Sequence, residues 1–270
     1  MSHIIDEIRT DLLRTRLART LIRQTVGLGF VAGFVNTVGF FDLHVYPGIM
    51  TGNTVQIGIA LAQSDWHLFR LTGLTIAFFF VGAIAGSLIR RHLRRPPLEL
   101  VVMAVLLLAA TPVRTMANAI PFELGLLAMA MAMQGETVSQ IGTVSIQTVV
   151  VTNNLLHFAD TLVGRFLSAH AATEGQGHSR PTVTDVAIPG FAWASYSIGA
   201  CAGALATVAV RAPLLFPIFV VVLLVVDMLL HAESLPVVQM AGVSPKASGP
   251  AVISRDSILT FKKLSESSLK

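Results

Sequence analysis

Cysteine is almost absent: Cys201 stands alone in 270 residues, so the chain can form no internal disulfide and no paired-cysteine metal site. Charge is nearly as scarce. Asp, Glu, Lys and Arg make up 13% of the sequence, against roughly a quarter in soluble domains. That shortage excludes a globule whose whole surface faces water. Also missing are a His-Glu-x-x-His zinc pattern and a glycine-rich phosphate loop. Ser145, His157 and Asp160 are the residue types of a nucleophilic triad, but they crowd into one short segment with no strained nucleophile turn. The expectation is a protein that is not an enzyme and holds neither cofactor nor metal.

What the chain has is apolar residues, at 53% of the total, and a mean hydropathy of +0.71. This is a membrane composition. The net charge of +4 does not indicate nucleic acid, because the basic residues gather at the ends of apolar runs. Such placement fits cytoplasmic loops and anionic lipid.

The leader, residues 1–23, carries Arg9, Arg14, Arg16, Arg19 and Arg23 and has no apolar core ahead of a cleavage site. Ile5, Ile8, Leu12, Leu13 and Leu17 recur at roughly helical spacing, which predicts a basic amphipathic helix on the inner membrane face. Charge-poor stretches at 24–41, 71–89, 98–117, 122–141, 186–210 and 212–231 supply six candidate spans. Residues 233–270, with Pro236, Pro245 and Pro250, read as a polar cytoplasmic tail.

Two further stretches combine apolar residues with uncharged polar ones. The first holds Met50-Thr51-Gly52-Asn53-Thr54 and Gln56; the second holds Val151-Thr152-Asn153-Asn154. Lipid offers such side chains no partners, so they belong where helices break and line a cavity. The dense basic run Arg90-Arg91-His92-Leu93-Arg94-Arg95 should be cytoplasmic, as should the N-terminus. An even number of crossings then separates them, and 46–63 becomes a re-entrant or broken segment. The same reasoning makes 145–166 its counterpart and leaves both termini in the cytoplasm.

A weak repeat supports that layout. Val81-Gly82-Ala83-Ile84-Ala85-Gly86 resembles Ile198-Gly199-Ala200-Cys201-Ala202-Gly203, and each copy follows its own polar cluster. Glycines four apart let two helix backbones approach, within one chain or between two copies. Three crossings per half invert the second half relative to the first, the plan of many secondary transporters.

The run Gly33-Phe34-Val35-Asn36-Thr37-Val38-Gly39-Phe40, followed by Met50-Thr51-Gly52-Asn53-Thr54, resembles the YoaK-like family of uncharacterised membrane proteins (DUF1275). Ala130-Met131-Ala132-Met133-Gln134-Gly135-Glu136-Thr137 and Val151-Thr152-Asn153-Asn154 look like its second motif region. The resemblance covers about residues 25–232. The family pattern tends to have Asp at Asn36, Asn near Gly135 and Gly near Asn153, so a family carboxylate is replaced here by an amide. The resemblance implies a multi-spanning membrane protein and no established activity.

Together these observations predict an all-α polytopic membrane protein: about six transmembrane helices, two short broken or re-entrant segments, and an inverted repeat of 24–117 on 122–231. It should lie in the inner or plasma membrane, with the bilayer and a small polar or anionic solute as partners and a homo-oligomer through Gly82/Gly86 or Gly199/Gly203 as a further expectation. The expected solute site comprises Asn36, Thr51, Gly52, Asn53, Gln56, Gln134, Glu136, Thr152, Asn153 and Asn154. Glu136, flanked by uncharged runs, is the leading titratable group. His157 and Asp160 read as interfacial. The alternative function is a scaffold or sensor in which the same polar residues lock helices together.

Overall fold

Apolar runs of about twenty residues satisfy their own backbone only as helices, and helices are what form. A computed structural model describes residues 2–93, 96–116, 119–137, 151–167 and 183–231. Among the described residues there are eight α-helices and no strand. They are α1 (Ser2–Leu43), α2 (Met50–Ala62), α3 (Trp66–Leu88), α4 (Pro96–Val113), α5 (Ile120–Thr137), α6 (Val151–Leu162), α7 (Val183–Ala209) and α8 (Leu215–His231). Single π-helical turns extend α3 over Ile89–Leu93 and α6 over Val163–Leu167.

The described part of each predicted span falls mainly on one of these helices, residues 117 and 138–141 lying outside the described residues, and each polar stretch contains a short helix. Ile22–Leu43, Trp66–Leu93 and Val186–Ala209 are long and apolar enough to cross a membrane; Pro97–Val113, Ile120–Gln134 and Leu215–Leu230 are apolar but shorter. Outward faces carry Phe80, Leu205, Phe219 and Leu230, all largely exposed. In water such a surface would aggregate; in lipid it is solvated. The protein is an all-α membrane protein.

The basic leader is continuous with the first span. Nothing between Ser2 and Val26 breaks a helix, since that stretch has neither Gly nor Pro, and α1 passes uninterrupted from Ser2 to Leu43. Residues 145–150, the loop 168–182 and the tail beyond His231 lie outside the described residues. The chain divides into two units, Met1–Leu230 and His231–Lys270, and the packing below belongs to the first.

Two parallel helix pairs organise that unit. A Cβ on Gly199 would strike the Phe30 carbonyl, and one on Gly203 would lie 2.7 Å from Phe34 O, so α7 runs parallel to α1. A Cβ on Gly82 would lie 2.8 Å from Met129 Cα and one on Gly86 3.3 Å from Met133 Sδ, so α3 runs parallel to α5. Both glycine faces are thus occupied by helices of the same chain. The central core joins Val31 and Val35 of α1, Met103 of α4, Leu127 and Met131 of α5, and Val221 of α8.

α2 and α3 form a tight hairpin. Ser64 takes a φ of 57°, and Asp65 N–H reaches Ala60 O at 2.8 Å, closing the end of α2. The Asp65 carboxylate then caps α3, accepting from His67 N at 3.1 Å and Leu68 N at 3.0 Å.

Candidate functional site

α1 stops where His44 adopts a φ of 55°, and the chain doubles back. Pro47 lies against Gly39, and Gly48 reaches the level of Asn36. Asn36 stands seven residues before Leu43, about 10 Å down the helix at 1.5 Å per residue. The loop therefore re-enters the bundle beside the helix it has just left. α2 begins at that depth and runs out again, for Gln56 Nε2 donates to His44 O at 2.8 Å. The first polar stretch thus folds back into the bundle beside α1.

Two asparagines hold this loop. Asn36 Nδ2 donates to Ala32 O at 2.9 Å, while its Oδ1 accepts from Gly48 N at 2.7 Å. Tyr196 of α7 lies beside the same Asn36. Asn53 Nδ2 donates to Tyr46 O at 2.7 Å and its Oδ1 accepts from Tyr46 N at 3.1 Å. The Tyr46 ring stacks on Phe40, centroids 4.3 Å apart and planes 12° from parallel. Gly52 sits beneath that ring, where a Cβ would come within 3.2 Å. Thr51 is exposed.

A second polar group lies further toward the N-terminal end of α1. Gln134 of α5 is fully buried and its Nε2 donates to Leu28 O. Its Oε1 has no hydrogen-bond partner among the described residues, and neither has Thr25 Oγ1, which is equally buried. Thr25 and Leu28 are three residues apart, so they share a helix face. Thr25 and Asn36 are eleven apart, close to three whole turns. That face therefore carries an uncharged polar column: Thr25, then Gln134 at Leu28, then Asn36, with Gly29 and Ala32 between them.

The second polar stretch lies elsewhere. α6 packs on α7 and α2 on α3, and Phe158 of α6 meets Gly190 near the start of α7. Because α7 parallels α1, the two stretches sit toward opposite ends of that pair. Asn154 is buried and Thr152 exposed. The side chains of Asn153 and Glu136, and all of Ser145, lie outside the described residues. His157 and Asp160 are exposed on α6. Of the expected site residues, the structure gathers Asn36, Gly52, Asn53 and Gln56 around the re-entrant loop, with Gln134 deeper along the same column.

Thr25, Tyr46 and Tyr196 were not anticipated. Thr25 follows Arg23 and Gln24, and Tyr196 lies between Ser195 and Ser197, so neither stands out from its neighbours; only the three-turn spacing of Thr25 and Asn36 could have signalled one of the three. Charge clusters at the bundle ends. Arg114 pairs with Asp42 and, at 3.2 Å, with Glu123; Arg23 pairs with Asp227 at 3.3 Å; Arg90 lies 3.9 Å from Glu99. Among the described residues no group of three or more His, Cys, Asp or Glu is placed to hold a metal. A separate crevice of about 280 Å³ between α3, α4 and α5 is lined by apolar residues such as Phe78, Phe122 and Met129.

Comparison with curated proteins and with solved structures gives no match. A family model does match, over residues 24–227, and it takes in every described helix from the apolar part of α1 to most of α8. Its description is a protein of unknown function, and the chain belongs to that family, DUF1275.

Proposed function

We propose that the protein is a carrier, of secondary-transporter or channel-like type, for a small polar solute that is neutral or anionic. The observation that carries this reading is the buried column of Thr25, Gln134 and Asn36, with two oxygens that have no partner among the described residues. Buried polar atoms are nearly always hydrogen-bonded. Oxygens that accept nothing from the protein are groups a solute or its water can use. The column is uncharged, so it would not repel an anion, and α2 starts beside it without a side-chain cap. Helix N-terminal N–H groups favour negative charge.

An inverted repeat is part of this proposal. Matching α1 with α5 and α3 with α7 carries the contact of Phe30 and Gly199 onto that of Met129 and Gly82, and Phe34 with Gly203 onto Met133 with Gly86. The ion pairs Arg23–Asp227, joining α1 and α8, and Glu123–Arg114, joining α5 to the end of α4, link corresponding helices with the charges exchanged, though not at matched positions. In the mechanism, the α1–α7 pair rocks against the α3–α5 pair around the column. The basic run after α3 and the N-terminal end of α1 would face the cytoplasm, in the inner or plasma membrane.

A scaffold is the second reading. It is favoured by Asn36 and Asn53, whose amides are spent on holding the re-entrant loop. The test is a thermal-shift screen of the purified protein against neutral and anionic metabolites, followed by flux of any hit into liposomes. A solute that stabilises the native protein and crosses the membrane, but does neither with Gln134→Leu, supports the carrier. No hit, together with no flux in the unaltered protein, supports the scaffold.

A further inference from the structure

The two helix pairs are rigid for different reasons than the seam between them. α1 and α7 touch backbone to backbone at Gly33, Gly199 and Gly203, and α3 and α5 do so at Gly82. Neither pair can slide without a steric clash. The seam between the pairs is packed by the apolar side chains of the central core and also carries polar ties. One is Gln134 on Leu28 O, within the column. Another lies at the C-terminal end of α1, where Asp42 meets Arg114 from the end of α4.

Arg114 has a second carboxylate. Glu123 in the first turn of α5 receives its Nη1 at 3.2 Å, while Asp42 receives Nη2. The two carboxylates differ in setting. The Glu123 side chain is 5% exposed and that of Asp42 32% exposed. Glu123 and Arg114 flank the short α4–α5 connection, so they belong to the same side of the seam. Asp42 belongs to the other. The re-entrant loop begins two residues beyond Asp42, at His44.

We propose that Asp42 and Arg114 form a latch that closes this end of the seam, and that Glu123 is a positioning residue that keeps the guanidinium aimed at Asp42. This regulation rests on the carrier reading of the column. When the pairs part, Arg114 stays with Glu123, its buried partner, and releases Asp42, whose carboxylate water can take over. Arginine suits the role because its planar fork can serve two carboxylates at once, which a lysine ammonium cannot do in fixed geometry. A partly exposed pair of this kind shifts an equilibrium by only a few-fold. A latch has to be that weak to open.

Amide hydrogen exchange of the full chain in detergent, with no solute present, tests the latch apart from transport. Asp42→Asn should speed exchange about three-fold, the order of one exposed ion pair, over 40–49 and at the α4–α5 connection. Exchange over 25–34 and 195–204, within the α1–α7 pair, should be unchanged. Glu123→Gln should loosen both the α4–α5 connection and 40–49, because the guanidinium is no longer held on Asp42, and Arg114→Lys should do the same. Unchanged exchange in Asp42→Asn would overturn the proposal. So would a uniform rise that includes 195–204, since that reports lost stability and not an opened end. If Asp42→Asn does not fold, Arg114→Lys carries the same test. In liposomes, a Cys201→Ser background bearing Asp42→Cys and Arg114→Cys should lose flux when a bis-methanethiosulfonate bridges the two thiols and regain it with reductant. A bridge is needed because an arginine–aspartate pair holds its backbones beyond disulfide reach. Flux that is unaffected by the cross-link also overturns the latch. Absence of flux in the unaltered protein removes the carrier reading but leaves the exchange result standing.

Discussion

The side-chain amide of Asn53 pairs with both backbone groups of Tyr46, accepting from its N–H at 3.1 Å and donating to its carbonyl at 2.7 Å. In effect one residue of α2 supplies the missing peptide partner for a loop that enters apolar surroundings. Removing it strands two part-buried backbone groups, each costing toward the lower end of the about 1–3 kcal/mol of a buried group left unsatisfied. Asn53→Ala should therefore lose about 2–4 kcal/mol in detergent unfolding. Asn53→Asp keeps the acceptor but turns an oxygen toward the Tyr46 carbonyl, so it should be no better than alanine. A melting temperature unchanged in either variant would show that the loop is held by other means.

Glycines on different faces should respond in opposite directions. A Cβ at Gly33 would strike the Tyr196 carbonyl, and one at Gly199 the Phe30 carbonyl. Backbone atoms cannot step aside as a flexible side chain can, so Gly33→Ala and Gly199→Ala must push α1 from α7. Overpacking typically costs about 1–3 kcal/mol, occasionally more, and both variants should sit at or above the top of that range. A Cβ at Gly58 or Gly73 meets nothing within 4 Å. At those helical positions alanine should stabilise by about 0.5–1 kcal/mol through propensity alone. Four parallel thermal melts decide it, and destabilisation by all four would contradict the packing.

The cap on α3 gives a local test of the hairpin. The Asp65 carboxylate accepts from two N–H groups of the first turn. Asp65→Ala should cost about 1 kcal/mol, and Asp65→Asn, which keeps one acceptor oxygen, should recover most of it. Equal losses in both would mean that charge at the helix start, and not the hydrogen bonds, matters there.

The helices were legible because hydropathy and charge spacing report membrane depth directly. Counting crossings between Arg23 and Arg90 favours a broken or re-entrant 46–63 without deciding it; the hydrogen bonds of the loop to Asn36 and Asn53 are what fold it back beside α1. What sequence did not reveal was how the polar residues spend their hydrogen bonds. Asn36 and Asn53 look like ligand groups in a list of residues, but the loop from His44 to Ile49 uses both. Thr25 does not stand out in the sequence, because its complete burial is a long-range consequence of packing. The leader shows the same limit. Its apolar spacing indicated a helix but could not show that the helix runs unbroken into the first span.

Thr25 separates the two functional readings most cleanly. Its hydroxyl is fully buried and has no hydrogen-bond partner among the described residues, and valine has nearly its shape. If the column is only structural, Thr25→Val removes an unsatisfied polar group and should be neutral or stabilising by up to about 1 kcal/mol, with no functional consequence. If the column conducts a polar solute, the same variant folds at least as well yet loses an oxygen that the solute or its water needs. A comparable loss of affinity, about 1–1.5 kcal/mol for a hydrogen bond, is close to ten-fold. Gln134→Leu should act in the same direction but at a stability cost, since it also frees the Leu28 carbonyl. The decisive pairing is therefore melting temperature against solute flux in Thr25→Val. Stability held or raised with flux cut about ten-fold supports a conducting column, whereas unchanged flux would place the pathway, if there is one, away from this face of α1.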